Sequence, residues 1–372
     1  MPVKCTQILN LMEELAPLKL AEAWDNSGLQ VGDPEQEVSC VLLTLDLDLN
    51  VAAEAQNIGA GLIISHHPMF FKPVKSINLD SSQGKLIRYL LLNQISVYTA
   101  HTNLDIASRG VNQALAERIG LQNPVVLQET GRETYYKVAV FVPEEHAGAV
   151  RQAMAEAGAG WIGNYSHCTF MTAGTGTFKP LEGANPFIGA KGVVEQVAEI
   201  KVETLVPEGK LSEVTQAMLE AHPYEEVAYD IFLLQNSGHP YGLGRVGTLS
   251  EEMSFGQFAE MVKGALGLST MRWGGSLEER VRKVAVCGGA GADLWEAAKR
   301  AGADIFVTGD IKYHTAQQML ASGLKFLDPG HYGTEAVVLP VLQNYLQERC
   351  RQLNMDIQVR ISQVKTDPFA CV

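Results

Sequence analysis

Apolar runs alternate with helix-like segments along the first third of the chain. The run Leu62-Ile63-Ile64 is continuous, as expected of a strand that is buried on both faces of a parallel sheet. The pattern predicts helices over about residues 6–15, 50–58 and 83–93, and strands over about residues 38–45, 62–64 and 95–99. Two of these strands run into polar motifs, Ser65-His66-His67-Pro68 and His101-Thr102-Asn103-Leu104-Asp105. This alternation is typical of an α/β fold.

The last third of the chain repeats this plan. It predicts strands over residues 281–286 and 304–307 with a helix over 293–301 between them, and the second strand ends in Thr308-Gly309-Asp310. Residues 41–67 align with residues 284–310 without a gap, and His101-x-x-x-Asp105 corresponds to His331-x-x-x-Glu335. Open α/β sheets bind ligands beyond the carboxyl ends of their strands. We therefore expect two similar α/β halves whose strand ends meet at one site.

The middle of the chain follows a different pattern. It predicts strands over about residues 135–142, 168–178, 193–206 and 228–234, and helices over about 146–157 and 211–221. The resulting βαββαβ order is ferredoxin-like. Gly131 and the stretch Asn236-Ser237-Gly238-His239-Pro240 are typical of hinges. We expect residues 131–238 to form a separate domain, inserted into a surface loop of a discontinuous α/β domain of residues 1–130 and 239–372.

Charge and composition exclude several classes of function. The chain has 42 acidic and 29 basic residues, a net charge of −13, so nucleic acid is disfavoured as a main partner. It has no apolar run of the roughly 18 residues that cross a bilayer, and no secretory signal pattern. The 6 cysteines are scattered without a CxxC pair, as in proteins of a reducing compartment. These features predict a cytoplasmic protein that does not bind membranes.

Histidines and carboxylates at the predicted strand ends are the main candidates for chemistry. Imidazole and carboxylate together suit zinc, iron, manganese or nickel. Adjacent histidines on an extended chain point in opposite directions, so both serve one site only if they straddle two ions or lie in a bend. A ligand pair four residues apart shares a face if its segment is helical. The candidate ligands are His66, His67, Asp105, His331 and Glu335.

Each of these motifs also has an ordinary structural interpretation. A His-His pair can be a loop feature, and an HxxxE pair can cap a helix, but their repeated placement after predicted strands favours a metal site. His101 could be a ligand, a group that orients a ligand, a general acid or base, or a structural histidine, because its ordinary pKa of about 6.5 lies near operating pH. Asp25 and Asn26 lie in a Gly-flanked loop and could contact substrate or form an Asx-turn.

Three further motifs favour a structural role. Asp310 and His314, four residues apart, are interpreted as site-wall or structural residues. The stretch His222-Pro223-Tyr224-Glu225-Glu226 is typical of a loop that ends a helix. The run Gly288-Gly289-Ala290-Gly291 lacks GxGxxG spacing, which favours a tight strand-to-helix turn over a phosphate-binding loop.

Taken together, the motifs resemble those of the NIF-three-like family, whose members are often labelled GTP cyclohydrolase 1 type 2 homologues. The resemblance implies one NIF-three-like domain of two α/β halves and a ferredoxin-like insert similar to a PII/CutA module. It implies two divalent ions per chain, bound by the five candidate ligands with Glu335 as the bridge, and a toroidal homohexamer. The matching stretches are Trp24-Asp25-Asn26-Ser27-Gly28-Leu29-Gln30-Val31-Gly32, Ser65-His66-His67-Pro68, His101-Thr102-Asn103-Leu104-Asp105, Thr308-Gly309-Asp310 and Gly330-His331-x-x-x-Glu335.

Two functional hypotheses follow. The first is a metal-dependent hydrolase acting on a nucleotide or a related small molecule, in which two ions activate a water and His101 transfers a proton. GTP is the first substrate to test, since opening of its imidazole ring would release formate. The alternative is a non-enzymatic metal-binding regulator or sensor that uses the PII-like insert.

Overall fold

The chain divides into two units, which the computed structural model describes over residues 2–72, 74–236 and 238–370. Met1–Thr130 and Tyr241–Val372 form the outer unit, and Gly131–Pro240 form the inserted unit. Among the described residues, no helix is both long enough and apolar enough to span a bilayer.

The first half of the outer unit alternates helices and strands, as the apolar pattern predicts. The predicted strand over residues 38–45 is interrupted, because only residues 40–44 join the main sheet. Residues 28–31, for which the sequence predicts no strand, pair antiparallel with the strand that precedes His101. The elements are β1 (Val3–Lys4), α1 (Cys5–Leu15), β2 (Gly28–Val31), β3 (Glu37–Val38), β4 (Cys40–Thr44), α2 (Leu49–Asn57), β5 (Leu62–Ser65), α3 (Ser82–Leu92), β6 (Ser96–Thr99), α4 (Thr102–Ile106), α5 (Val111–Arg118) and β7 (Gln122–Arg132).

The inserted unit is a four-stranded antiparallel sheet with two helices. Its elements are β8 (Tyr135–Pro143), α6 (Ala147–Glu156), β9 (Thr169–Phe178), β10 (Glu195–Pro207), α7 (Leu211–Ala221) and β11 (Tyr229–Leu233). The strand order β11-β8-β10-β9 gives the βαββαβ arrangement of ferredoxin-like folds. Side chains from both helices and from β8 and β10 fill its core.

The ends of the inserted unit lie side by side. The backbone N–H of Glu133 donates a hydrogen bond to the carbonyl of His239, 3.0 Å away. Gly131, one of the two predicted hinges, is the first residue of the inserted unit and lies near the end of β7. In the second predicted hinge, Ser237 lies outside the described residues.

The second half of the outer unit contains the repeat predicted from the sequence. Its elements are β12 (Pro240–Ser254), α8 (Phe255–Leu266), β13 (Arg272–Gly274), β14 (Arg280–Val286), α9 (Trp295–Arg300), β15 (Ile305–Val307), α10 (Tyr313–Ala321), β16 (Lys325–Asp328), α11 (His331–Glu335), α12 (Val338–Gln352) and β17 (Gln358–Ile361). The two sheets have the strand orders β17-β4-β5-β6-β2 and β13-β16-β15-β14-β12-β7. In both halves, three parallel strands are followed by an antiparallel neighbour, β2 beside β6 and β13 beside β16.

Both faces of each sheet are covered, as the continuous apolar strands predict. Successive residues of β4 face opposite sides, so that Val41 packs with α1 and α12 while Leu42 packs with α2 and α3. Helix α5 contributes to two cores, with Val111 in the core of the first sheet and Leu115 in that of the second. This shared helix joins the two halves and brings their strand ends to one place.

Candidate metal centre

The chain bends directly after β5, and the bend brings two adjacent histidines to the same site. The backbone N–H groups of His66 and His67 continue the parallel ladder by donating to the carbonyls of Thr44 and Leu45. The two imidazole rings nevertheless lie 5.0 Å apart, centroid to centroid, at an angle of 50°. Of the two arrangements considered for adjacent histidines, the structure therefore shows the bend.

Short helices supply the other candidate ligands. His101 lies at the N-cap of α4, which carries Asp105, and α11 begins at His331 and ends at Glu335. The Nε2 atom of His331 lies 3.1 Å from Oε1 of Glu335, so this pair does share a helix face. Glu335 is 3% exposed, which places its carboxylate in the interior of the site.

The two oxygens of Glu335 face different histidines. Oε1 lies 3.1 Å from Nε2 of His331 and 3.7 Å from Nε2 of His66, whereas Oε2 lies 3.1 Å from Nε2 of His67. The Oδ1 atom of Asp105 lies 3.6 Å from Nε2 of His66. The carboxylate of Glu335 is thus surrounded by three other predicted ligands, His66, His67 and His331, and the fifth, Asp105, contacts His66.

Two overlapping sets of side chains have the spacing of a metal site. Within each set, the potential ligand atoms lie within 4.8 Å of one another, close enough to bind one ion. The sets share His67, so two ions bound there would be neighbours. The first set is His66, His67 and His101, and the second is His67, His331 and Glu335.

Unsatisfied polar atoms show that these residues fit a cation. Four buried side-chain N or O atoms among the described residues lack a hydrogen-bond partner, and three of them belong to this cluster. They are Nε2 of His66, Oδ1 of Asp105 and Oε2 of Glu335, the last at ion-pair distance from His67 but without a hydrogen bond. Burying such atoms without a partner is costly, and all three are good ligands for divalent metals.

A ring of acceptors fixes the orientation of the four imidazoles. Each histidine places its Nδ1 atom within hydrogen-bond distance of an oxygen, which leaves Nε2 free to face the cluster. A metal-binding histidine is usually held in this way, because the bond at one ring nitrogen sets the tautomer at the other. The pairs are His66 with Ala100 O at 2.8 Å, His67 with Asp46 Oδ1 at 2.8 Å, His101 with Asp25 Oδ1 at 2.7 Å and His331 with Asp310 Oδ2 at 2.7 Å.

The histidines and carboxylates of the cluster shift one another's pKa values. Burial lowers the pKa of His67, but the carboxylates of Asp46 and Glu335 outweigh burial and raise that pKa to about 10. The hydrogen bond to Glu335 is the main cause that raises the pKa of His331 to about 9. Burial raises the pKa of Asp105 to about 6, whereas the facing imidazoles overcome burial and hold the pKa of Glu335 well below its usual range. Metal-free imidazoles here hold protons that a cation would displace.

Asp25 and Asn26 have their side chains bound within the chain. The buried carboxylate of Asp25 accepts hydrogen bonds from His101 and from the Thr102 hydroxyl, 2.6 Å away. The Asn26 amide donates to the carbonyl of Phe70. These contacts favour a role in positioning the site over the substrate contact considered from the sequence.

Asp46 and Gly289 are functional positions that the sequence analysis missed. Asp46 holds His67, and its other oxygen accepts a hydrogen bond from Thr366. Gly289 has a φ of +60°, and a Cβ atom there would lie 2.1 Å from Oε1 of Glu335. The repeat alignment could have found both, because it places position 46 opposite position 289.

The weaker motifs lie outside the cluster or support it from the side. Asp310 orients His331, whereas His314 is exposed and contacts Tyr313 and Gln317 of its own helix, α10. In the inserted unit, His222 follows the last residue of α7 and bonds to the carbonyl of Phe141, as expected of a loop that ends a helix.

Comparisons with known proteins agree over nearly the whole chain. A family model described as Duf34/NIF3 (NGG1p interacting factor 3) matches residues 3–368. Halalkalibacterium halodurans has a protein named GTP cyclohydrolase 1 type 2 homolog that is 44% identical over 365 residues, 98% of each chain. A Bacillus subtilis protein of the same name is 43% identical over 363 residues, 98% of this chain and 97% of its own. The crystal structure of a Bacillus cereus protein related to NIF3 matches with a TM-score of 0.92 and 46% identity, covering 100% of both chains.

Proposed function

Because the chain belongs to the Duf34/NIF3 family, we propose that it is a metal-dependent hydrolase that holds two divalent ions and acts on a nucleotide or a related small molecule. The unsatisfied atoms of His66, Asp105 and Glu335 carry this proposal, since a cation gives these three buried groups a common partner.

The number of donors supports two ions instead of one. A tetrahedral zinc site uses four ligands, whereas this cluster offers the nitrogens of four histidines and two carboxylates. The oxygens of Glu335 face different histidines, as a carboxylate that bridges two cations would. Zinc, iron, manganese and nickel all suit this set of donors.

The residues around the ions have separate tasks in this proposal. Bound divalent ions at such a site lower the pKa of a coordinated water and polarise the bond that it attacks. His101, held by Asp25, lies beside the two histidines that follow β5. Its side chain is 12% exposed, so it can move a proton between the site and bulk water. Asp46 and Asp310 keep His67 and His331 in place during turnover.

We expect the metal-loaded protein to hydrolyse GTP or a related nucleotide, and His101→Ala to lower turnover by about 100-fold, as loss of a positioned acid or base does. The reaction would be measured by the release of formate and by chromatographic separation of the nucleotide products. His314→Ala is the matched control, because it removes an exposed histidine that does not face the cluster. If the loaded protein turns over none of the nucleotides tested, the hydrolase proposal is wrong and a metal-binding regulator takes its place.

Two further proposals come with family membership. The chain is proposed to assemble as a toroidal homohexamer, which native mass determination would measure. The inserted unit is proposed to act as a PII/CutA-like module.

Metal binding is expected to become stronger as pH rises, while the metal-free protein becomes less stable. The pKa values of His67 and His331 are about 10 and 9 in the folded chain, above the ordinary value of about 6.5. Their protonated forms therefore contribute stability that is complete below about pH 6.5 and is lost as pH rises through 9 and 10. Metal ligands must be unprotonated, so protons and the metal ion compete for the same imidazole nitrogens. As pH rises, fewer protons are bound and the metal ion binds more tightly.

Thermal melting with and without zinc, between about pH 7 and 9.5, tests this expectation. The melting temperature of the metal-free protein should fall across the range, and the increase that zinc causes should grow. In metal-free Glu335→Gln the slope should flatten, because His67 and His331 lose their shared acidic partner. A metal-free melting temperature that rises over the same range would contradict the assignment.

A further inference from the structure

Trp24 is exposed within a motif whose other polar side chains are engaged inside the protein. The side chain of Asp25 holds His101, and that of Asn26 binds the Phe70 carbonyl. The Gln30 amide accepts a hydrogen bond from the Phe70 N–H, 3.1 Å away. Trp24, in contrast, is 63% exposed. Hydrogen bonds of the neighbouring side chains fix this loop, yet the large apolar ring of Trp24 remains in solvent. The ring is therefore available to bind a ligand.

Phe71 is a second exposed ring, and the same motif anchors it. The backbone N–H and carbonyl of the preceding residue, Phe70, are both bound, by Gln30 and Asn26 respectively. The Phe71 side chain is nevertheless 55% exposed. Because the backbone next to Phe71 is already fixed, a ligand that binds this ring has little of the protein left to order. The entropy cost of binding is therefore small.

Both rings contact the same histidine of the candidate site. The Trp24 and His101 rings lie 6.0 Å apart at 79°, and the Phe71 and His101 rings lie 5.8 Å apart at 88°. Perpendicular contacts of this kind leave at least one face of each outer ring free of His101. Phe71 and His101 also line a cavity of about 1920 Å³ that reaches His67 and His331, large enough to hold a nucleoside.

The charges in this cavity favour a neutral ligand over a polyphosphate. Each of its basic side chains lies beside an aspartate, and the pairs are Arg272 with Asp328, Lys365 with Asp367, His67 with Asp46, His101 with Asp25 and His331 with Asp310. An acidic wall repels phosphates, and none of these basic groups stands alone to receive one. The aspartates that line the cavity are Asp46, Asp48, Asp310, Asp328 and Asp367.

We infer that Trp24 and Phe71 form a stacking subsite for a neutral planar heterocycle of the purine-base type, beside His101. This inference deepens the proposed function and rests on it, because it takes the cluster around Glu335 as the reacting centre. The chain's own residues then recognise the ring of a substrate, while they provide no dedicated site for a triphosphate.

Calorimetric titration of the metal-loaded protein with guanosine tests the stacking subsite. Stacking on an aromatic side chain changes affinity by roughly tenfold or more per base, so Trp24→Ala and Phe71→Ala should each raise the Kd by about tenfold. Trp24→Phe, which keeps a ring, should lose less. The matched controls are Trp161→Ala and Phe170→Ala, which remove exposed rings of the inserted unit and should leave the Kd unchanged. Elemental analysis should find equal metal in all five variants and the parent.

The outcomes separate this inference from the proposed function. Guanosine binding that depends on both rings, without turnover of any nucleotide, would support the subsite and overturn the hydrolase. Turnover with a guanosine Kd that neither alanine substitution changes would overturn the subsite and leave the hydrolase standing. Titration of the metal-free protein tests the charge argument, since GTP should bind no more tightly than guanosine. A GTP affinity more than about tenfold higher there would overturn the preference for a neutral ring.

Discussion

Replacement of Glu335 by alanine is expected to remove most of the metal from the protein. This carboxylate lies between three imidazoles, with an oxygen 3.1 Å from His67 and the other 3.1 Å from His331. Loss of a residue that merely orients a ligand weakens metal binding by 10- to 100-fold, so loss of the carboxylate that we propose as the bridge should weaken it by at least about 100-fold. Elemental analysis of native and variant chains after reconstitution with zinc, manganese, iron or nickel gives the measurement.

Two further substitutions make the result interpretable. Glu335→Gln keeps the size of the side chain and removes its charge, so it should also lose metal if the ionised carboxylate is the ligand. Glu348→Gln changes an exposed glutamate of α12 and should retain the native metal content. Native metal content in Glu335→Ala would refute the bridged centre, and the histidine and acid motifs would then have a structural explanation.

Arg245→Met is expected to destabilise the outer unit by at least about 3 kcal/mol, because it leaves buried acceptors without a donor. Arg245 is 3% exposed, and its guanidinium donates to the carbonyls of Gly242, Gly244 and Ala107 and to the side chain of Gln113. Burial lowers the pKa of this arginine, because removing the charged guanidinium from water costs free energy. The hydrogen bonds offset that cost. Urea unfolding followed at several wavelengths would measure the change and separate the two units.

The effect should extend from stability to metal binding. Ala107 directly follows α4, which carries Asp105, so a loss of the bond to Ala107 should loosen that candidate ligand. Arg245→Lys should recover only part of the stability, because an ammonium group cannot reproduce the planar arrangement of donors. Arg282→Met removes an exposed arginine of β14 and serves as the control. A change below about 1 kcal/mol in Arg245→Met would contradict the importance of this network.

The parts of the fold that the sequence predicts are those with a strong local signal. The apolar run before His66 becomes β5, which is buried along its whole length, and the repeat correctly predicts the parallel strands of the second half. The short strand β2 escapes prediction because its four residues carry no clear alternation and form a strand only through pairing with β6.

The candidate site was predictable where the chemistry lies at a strand end. His66 and His67 follow β5, and the spacing from His331 to Glu335 already indicates a shared helix face. The supporting residues were harder to predict because each acts through a distant partner. Asp46 meets His67 across 21 residues, and Gly289 matters only because the carboxylate of Glu335 occupies the space where a side chain would lie.

The hydrogen bond between Glu133 and His239 has a consequence for the kinetics of folding. His67 and His331, which meet in the site, are 264 residues apart in sequence, and contacts of such high separation are normally slow to form. The inserted unit accounts for much of that separation, yet its two ends lie together once it has folded. From then on, the loop that must close between His67 and His331 contains only outer-unit residues. Because the entropic cost of closing a loop rises with its length, this shorter loop costs less to close. The insert can therefore fold early without delaying the encounter of the two halves of the outer unit.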